Sequence, residues 1–197
     1  MDQAMGNQQE VGVVAEADAA WLAGMLNGDG CFSLTFATRK SGNIKCDISL
    51  TLTQCDPSLI EKTTCILGTL GINPSISEYP PSGAGIRTKY NLRINRMSHI
   101  AVVIDAISAF MVGEKLAQAK LMRRYIARRA IYSDPTKRQS GASILDDKEA
   151  IEIATQFNAL RKPADYKGLP KHITDVLNDY PFGEYSQVAG SAQHAQA

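Results

Sequence analysis

Apolar side chains fall on every second position in three stretches of this chain. Phe32, Leu34 and Phe36 alternate with Ser33, Thr35, Ala37 and Arg39. Ile48, Leu50 and Leu52 alternate with Lys45, Asp47, Ser49 and Thr51, and Tyr90, Leu92 and Ile94 alternate with Lys89, Asn91 and Arg93. A period of two predicts strands with one face on a core and the other open. Strands are therefore expected at 31–39, 44–54 and 87–95, with a fourth at about 74–79. Ser41, Gly42 and Asn43 supply a turn between the first pair, and the run Pro80 to Gly85 a loop between the second.

Between the strands the spacing changes to that of helices. One is expected at about 17–28. A second runs from 57 to 69, with Asp56 as its N-cap, Pro57 in its first position and a stop at Gly71. Two more are expected at about 98–111 and 114–131, divided at Gly113. Another begins at Asp146 or Asp147 and runs to about 162, and a short one covers 170–178. The order α-β-β-α-β-β-α with extra C-terminal helices predicts an α+β fold. The expected organisation is a flexible leader over 1–15, a domain over 16–162 and a partly disordered extension over 163–197.

Composition narrows the class. Hydrophobic residues make up 44% and charged residues 21%, as in soluble globular proteins. No stretch reaches the ~20 apolar residues of a membrane span, and the longest, Ile100 to Val112, is broken by Asp105 and Ser108. The first ten residues carry no Lys or Arg ahead of an apolar run, which argues against a signal peptide. The four cysteines form no C-x-x-C pair and the three histidines lie far apart, so neither a zinc site nor a disulfide framework is expected. A reducing intracellular setting fits, with the compartment left open.

A net charge of +1 would argue against a polyanion partner, but it hides an uneven distribution. Residues 1–38 carry five acids and no Lys or Arg, residues 39–140 carry 16 basic and 7 acidic residues, and residues 141–197 carry 5 basic and 8 acidic residues. A basic body between acidic ends leaves room for a polyanion-binding surface. The polar face of the predicted sheet carries Arg, Lys, Asn, Ser and Thr. These side chains suit either a solvated surface or the reading of bases and phosphates.

The first helix holds a second signal. Ala20, Ala23, Gly24 and Asn27 recur at helical spacing, a small-residue stripe that allows close approach of another helix. The helix then runs through Asn27 and Gly28 into Asp29-Gly30. A carboxylate there opposes the helix dipole by ~0.3–1 kcal/mol. Either Asp29-Gly30 is an ordinary turn, or Asp29 holds a cation.

Leu22 to Gly30, "LAGMLNGDG", resembles the LAGLIDADG motif of homing endonucleases. Leu22, Ala23, Gly24, Asp29 and Gly30 are identical, and Met25 and Leu26 are conservative changes. The resemblance covers about residues 17–131 and, more weakly, reaches 162. It implies an αββαββα core whose saddle-shaped antiparallel sheet reads double-stranded DNA in the major groove. Only one motif occurs in the chain, which implies the single-motif subclass: a homodimer cutting a long pseudo-palindromic site and leaving 3′ overhangs. The stripe of Ala20, Ala23, Gly24 and Asn27 would form the dimer interface.

The resemblance also implies roles for single residues. Asp29 matches the metal-binding acid and Gly28 a position whose carbonyl joins the metal site. Gln54 matches a residue that positions the water network, and Lys115 a basic residue that polarises water or offsets phosphate charge. Mg²⁺ is the expected ion, with Mn²⁺ as a substitute and Ca²⁺ binding without cleavage; no small-molecule cofactor and no membrane is expected. Asn27 departs from the motif, where an acid is frequent. Ser58 stands where some relatives carry a second basic residue, so that role is not transferred. DNA contacts are expected from Ser33, Thr35, Arg39, Lys45, Ser49, Thr51, Arg87, Lys89, Asn91 and Arg93, with Lys40 and Asn43 reaching the outer site. Arg123, Arg124, Arg128 and Arg129 form either a solvated helix face or phosphate contacts. An RNA maturase assisting intron splicing and a catalytically silent DNA-binding regulator are the competing functions on the same scaffold.

Overall fold

The computed structural model describes residues 13–38, 44–133 and 148–160. Their order is α1 (Glu16–Gly28), β1 (Gly30–Thr38), β2 (Ile44–Gln54), α2 (Pro57–Thr69), β3 (Ser75–Tyr79), β4 (Lys89–Ile94), α3 (Met97–Ile107), α4 (Gly113–Ser133) and α5 (Lys148–Ala159). The strands form one four-stranded sheet in the order β1-β2-β4-β3. β4 runs antiparallel to both of its neighbours. The α+β class and the α-β-β-α-β-β-α order are those expected. The described residues divide into two compact units, one drawn from 13–31 and 50–112 and the other from 32–38, 44–49, 113–133 and 148–160.

In the first unit α1 buries Ala19, Leu22, Ala23 and Leu26, an inward stripe at helical spacing. These residues pack with Leu50 and Leu52 of β2, Ile60, Ile66 and Leu67 of α2, Leu92 and Ile94 of β4, and Val103 of α3 as the unit's core. Ala23 has no exposed surface. It therefore belongs to the inward stripe, and its expected place in an outward dimer face is corrected. Ala20 and Gly24 are exposed and Asn27 is half-buried.

The ends of α2 follow from its local sequence. Asp56 Oδ1 accepts from the Ser58 backbone N–H at 2.9 Å and from the Ser58 hydroxyl at 2.7 Å. These two bonds, the hydroxyl's first, hold the Asp56 carboxyl below its usual range. Gly71 then takes the left-handed conformation, φ +70°, while Ile72 N–H donates to Leu67 C=O and Gly71 N–H to Gly68 C=O. The buried pair Leu67 and Ile72 completes this glycine-ended cap.

Two expected boundaries shift. β4 begins at Lys89, which leaves Arg87 exposed in the preceding connection. α3 ends at Ile107 and gives way to a 3₁₀ turn over Ser108–Phe110. The Ser41–Asn43 turn, a helix start at Asp146 or Asp147, and the helix at 170–178 lie outside the described residues.

In the second unit α4 packs on α5 through buried Ala119, Met122, Tyr125 and Ile126 on one side and Ala150, Ile151, Ala154 and Phe157 on the other. Asn158 Nδ2 donates to Leu34 C=O at 3.2 Å, tying α5 to β1. Glu149 of α5 pairs with Arg124 at 3.1 Å and with Arg128 at 3.4 Å. Arg124 and Arg128 of this helix are thus engaged inside the unit. These ion pairs are partly exposed, so each contributes at most about 1 kcal/mol.

Two predictions come from this packing. A Cβ at Gly30 would lie 2.6 Å from both Leu26 Cα and Leu26 O, which are backbone atoms that cannot swing away. Gly30→Ala is expected to cost about 1–3 kcal/mol through overpacking, read as a fall of several degrees in melting temperature. A melt coincident with wild type would refute the close approach. The Cys46 thiol is pushed up to about 12, chiefly by burial, against a hydrogen bond with Tyr125 that pulls it down. Its folded-state value is raised, so its contribution to stability is complete below about pH 9 and lost as pH rises towards 12. At pH 8 a thiol reagent should modify exposed Cys31, Cys55 and Cys65 and spare Cys46 until denaturant is added; equal labelling of all four in the native state would contradict this.

Candidate functional site

The site begins at the helix-to-strand junction. Asp29 N–H closes the last helical bond of α1 to Met25 C=O at 2.9 Å, and Gly30 already belongs to β1. Only Gly tolerates the contact with Leu26 there, so the chain turns within a single residue and leaves the Asp29 side chain exposed. Gln54 is the last residue of β2 and shares the strand parity of Leu50 and Leu52. It therefore extends the helix-covered face of the sheet to its end, where its Nε2 donates to Asp29 Oδ2 at 2.6 Å. The structure thus brings together two residues 25 positions apart.

The oxygens around this bond decide whether a divalent cation fits. With Oδ2 taken by Gln54, Asp29 Oδ1 remains as a charged oxygen ligand. Gly28 is exposed, with open space where a Cβ would lie. Asn27 Oδ1 is enclosed and has no hydrogen-bond donor. Among the described residues no group of three His, Cys, Asp or Glu side chains converges. One carboxylate with open surroundings does not suit a closed protein cage. It does suit Mg²⁺, which is commonly held by one or two carboxylates together with substrate phosphates and water. Asp29 and Gly28 are the residues that would hold it.

Lys115 lies in the second unit, in the first turn of α4, and is half-buried. Ser58, whose basic counterpart is missing, spends its hydroxyl on the α2 cap.

The opposite face of the sheet is set by strand register. Thr51 pairs with Arg93, which pairs with Ser75; Thr53 pairs with Asn91, which pairs with Ser77; Lys89 pairs with Tyr79. All of these share one parity, away from the core positions Leu52, Leu92 and Ile94. No acidic side chain shares that parity in the paired stretch, so the face carries the positive charge of Lys89 and Arg93 with uncharged polar groups between. Thr53, Ser75, Ser77 and Tyr79 join the expected set here. The signal for the three β3 residues was the weak alternation of "SISEY", in which Ile76 is the one aliphatic residue.

The remaining expected contacts divide. Thr35 is exposed and Ser33 half-buried on β1. Ser49 is only 6% exposed, so its expected role as a base reader is corrected: a buried hydroxyl offers little surface to DNA. Lys45 lies in β2, whereas Arg39, Lys40 and Asn43 fall outside the described residues.

Residues 16–107 match the LAGLIDADG-like domain family. No curated protein matches the chain. Among solved structures, the homing endonuclease I-CvuI, in complex with DNA, superposes with a TM-score of 0.60 at 18% identity, covering 83% of this chain and 94% of its own. The archaeal intron-encoded homing endonuclease I-Vdi141I, also complexed with DNA, gives 0.60 at 17% identity with coverage of 83% and 94%. The LAGLIDADG homing endonuclease I-GzeII, with its DNA target, gives 0.55 at 12% identity, covering 82% of this chain but only 49% of its own. These likenesses share the fold, and the family match falls on the segment that carries Asp29 and Gln54. Residues 16–107, the segment that matches the LAGLIDADG-like domain model, contain the Leu22–Gly30 motif that carries the resemblance to that family.

Proposed function

We propose that the protein is a site-specific double-stranded DNA endonuclease that uses a divalent metal, normally Mg²⁺, and works as a homodimer on a long pseudo-palindromic target, leaving 3′ overhangs. The observation that carries this reading is the Asp29–Gln54 hydrogen bond at the end of α1, inside a LAGLIDADG-like domain. Phosphodiester hydrolysis needs an activated water and a sink for charge on the leaving oxygen, which a divalent cation supplies when bound. Asp29 offers the ligand oxygen. Gln54 fixes the rotamer of that carboxylate and keeps its own Oε1 as an acceptor that orients a water. Lys115 offsets phosphate charge. The polar face of the paired β2-β4-β3 stretch holds the duplex with Lys89 and Arg93, and the neighbouring Thr, Ser and Asn groups contact bases directly or through water.

Support for the homodimer comes from length and surface. The chain spans nearly all of I-CvuI and I-Vdi141I but about half of I-GzeII, so it supplies one motif helix where a longer chain has room for two. Ala20, Gly24 and Gly28 are exposed on α1, with nothing bulky to hold a second helix away. Two Asp29 carboxylates meeting near a dyad repel one another unless cations lie between them.

Cleavage of a target selected from a randomised duplex library should proceed with Mg²⁺ and stop with EDTA. Asp29→Asn should bind the same target yet cut it about 100- to 1,000-fold more slowly, the scale of several kcal/mol of lost charge stabilisation. Wild-type rates from that variant would remove Asp29 from the chemistry. The dimer is tested at Gly24, where an added side chain meets nothing within 4 Å in the single chain. Gly24→Leu should keep the wild-type circular-dichroism spectrum, with a melting temperature lowered by loss of the partner, while converting the protein to a monomer in sizing measurements and abolishing double-strand cleavage. A variant that remains dimeric and active would refute α1 as the interface.

A further inference from the structure

Arg93 differs from the other cations of the sheet face because its guanidinium is already held. Its Nε donates to Asn95 Oδ1 at 2.7 Å, two residues along the chain where β4 leaves the sheet. That bond uses the N–H on the inner edge of the group and leaves the two terminal amino groups at the tip. On either side Arg93 is flanked in register by short hydroxyl residues, Thr51 and Ser75, which do not cover it, and it is exposed. Neither flanking residue is acidic, so no neighbour in the row neutralises the charge.

We propose that Arg93 reads one guanine of the target and that Asn95 is the positioning residue that orients its guanidinium for this contact. This deepens the DNA-cleavage reading and rests on it. Guanine presents two acceptors, O6 and N7, on its major-groove edge, and a planar guanidinium can engage both at once. A free arginine loses several rotamer freedoms to reach that geometry. One already tethered at Nε has lost part of them before DNA arrives, so more of the contact is expressed as base discrimination. A lysine at this position would have neither the fork nor the tether. The next residue on the same face, Asn91, is two positions away, about 6.8 Å along the strand. That is about two base-pair steps of 3.4 Å, so Arg93 and Asn91 face different base pairs.

The test measures binding of the full-length protein to a randomised duplex library in Ca²⁺, followed by cleavage of the selected sequences in Mg²⁺. Wild type should select a sequence with an invariant guanine. Arg93→Ala should relax preference at that one base pair by about 10- to 100-fold while keeping the rest of the sequence. Asn95→Ala should relax the same base pair by a smaller factor, and Asn95→Asp, which keeps an acceptor for Nε, should restore it. Asn91→Ala should alter a different base pair. Uniform weakening of all sequences by Arg93→Ala, with a shallower salt dependence, would show a phosphate contact and overturn the proposal. Unchanged preference in Asn95→Ala would overturn the positioning role. If wild type selects and cuts a target whose base preferences none of these variants alters, this inference fails and the nuclease reading stands. If wild type selects no sequence at all, both fail.

Discussion

The hydrogen bond from Gln54 to Asp29 depends on a turn that only one residue can make. α1 must stop at Asp29 and β1 must start at Gly30, because a side chain at Gly30 would collide with the backbone of Leu26. Leu26 cannot yield, since it is buried in the core of its unit. The tight junction leaves the Asp29 carboxylate in front of the negative end of a helix, at a cost of about 0.3–1 kcal/mol. A hydrogen bond to a charged acceptor contributes roughly 1.5–3 kcal/mol when shielded and less in open solvent, enough to offset that cost. The carboxylate is thereby held in one orientation at an exposed position.

The same helix does two jobs on two sides. Ala19, Leu22, Ala23 and Leu26 face inward and hold the unit together, while Ala20, Gly24 and Gly28 face outward with little bulk. The sheet is divided in a similar way. One parity of β2 and β4 is aliphatic and covered, and it ends at Gln54 and its register partner Tyr90. The other parity holds Arg93, Asn91 and Lys89 among hydroxyl groups. The two faces are thus separated by the pleat of one strand pair: moving one residue along β2 passes from Gln54, bonded to Asp29, to Thr53 on the polar face.

Much of this was legible in the residue order. Alternation over 32–36, 48–52 and 90–94 located three strands, and Asp56-Pro57 and Gly71 marked both ends of α2 because their capping bonds are local. The LAGMLNGDG string pointed to Asp29, and its family resemblance to Gln54. Other features were hidden. Ala20 and Ala23 fall on one small-residue stripe by composition, yet they point to opposite environments, because the direction of a helical stripe depends on where the core lies. Ser49 looked like a reader by parity and is buried, since burial depends on tertiary packing that local sequence does not specify. Ser75, Ser77 and Tyr79 carried too little apolar contrast to announce a face.

By itself the sequence determined the elements, their order, the parity of each strand and the identity of the acid at the end of the first helix. These are matters of neighbouring residues: dihedral preferences, capping bonds and periods of two or 3.6. Only the tertiary structure decided which parity met which, that Gln54 reaches Asp29, that Arg93 is tethered by Asn95 between Thr51 and Ser75, and that Ala23 is buried while Gly24 remains open. Register and packing between distant segments set these relations, and they follow from burying one shared apolar surface rather than from any local pattern.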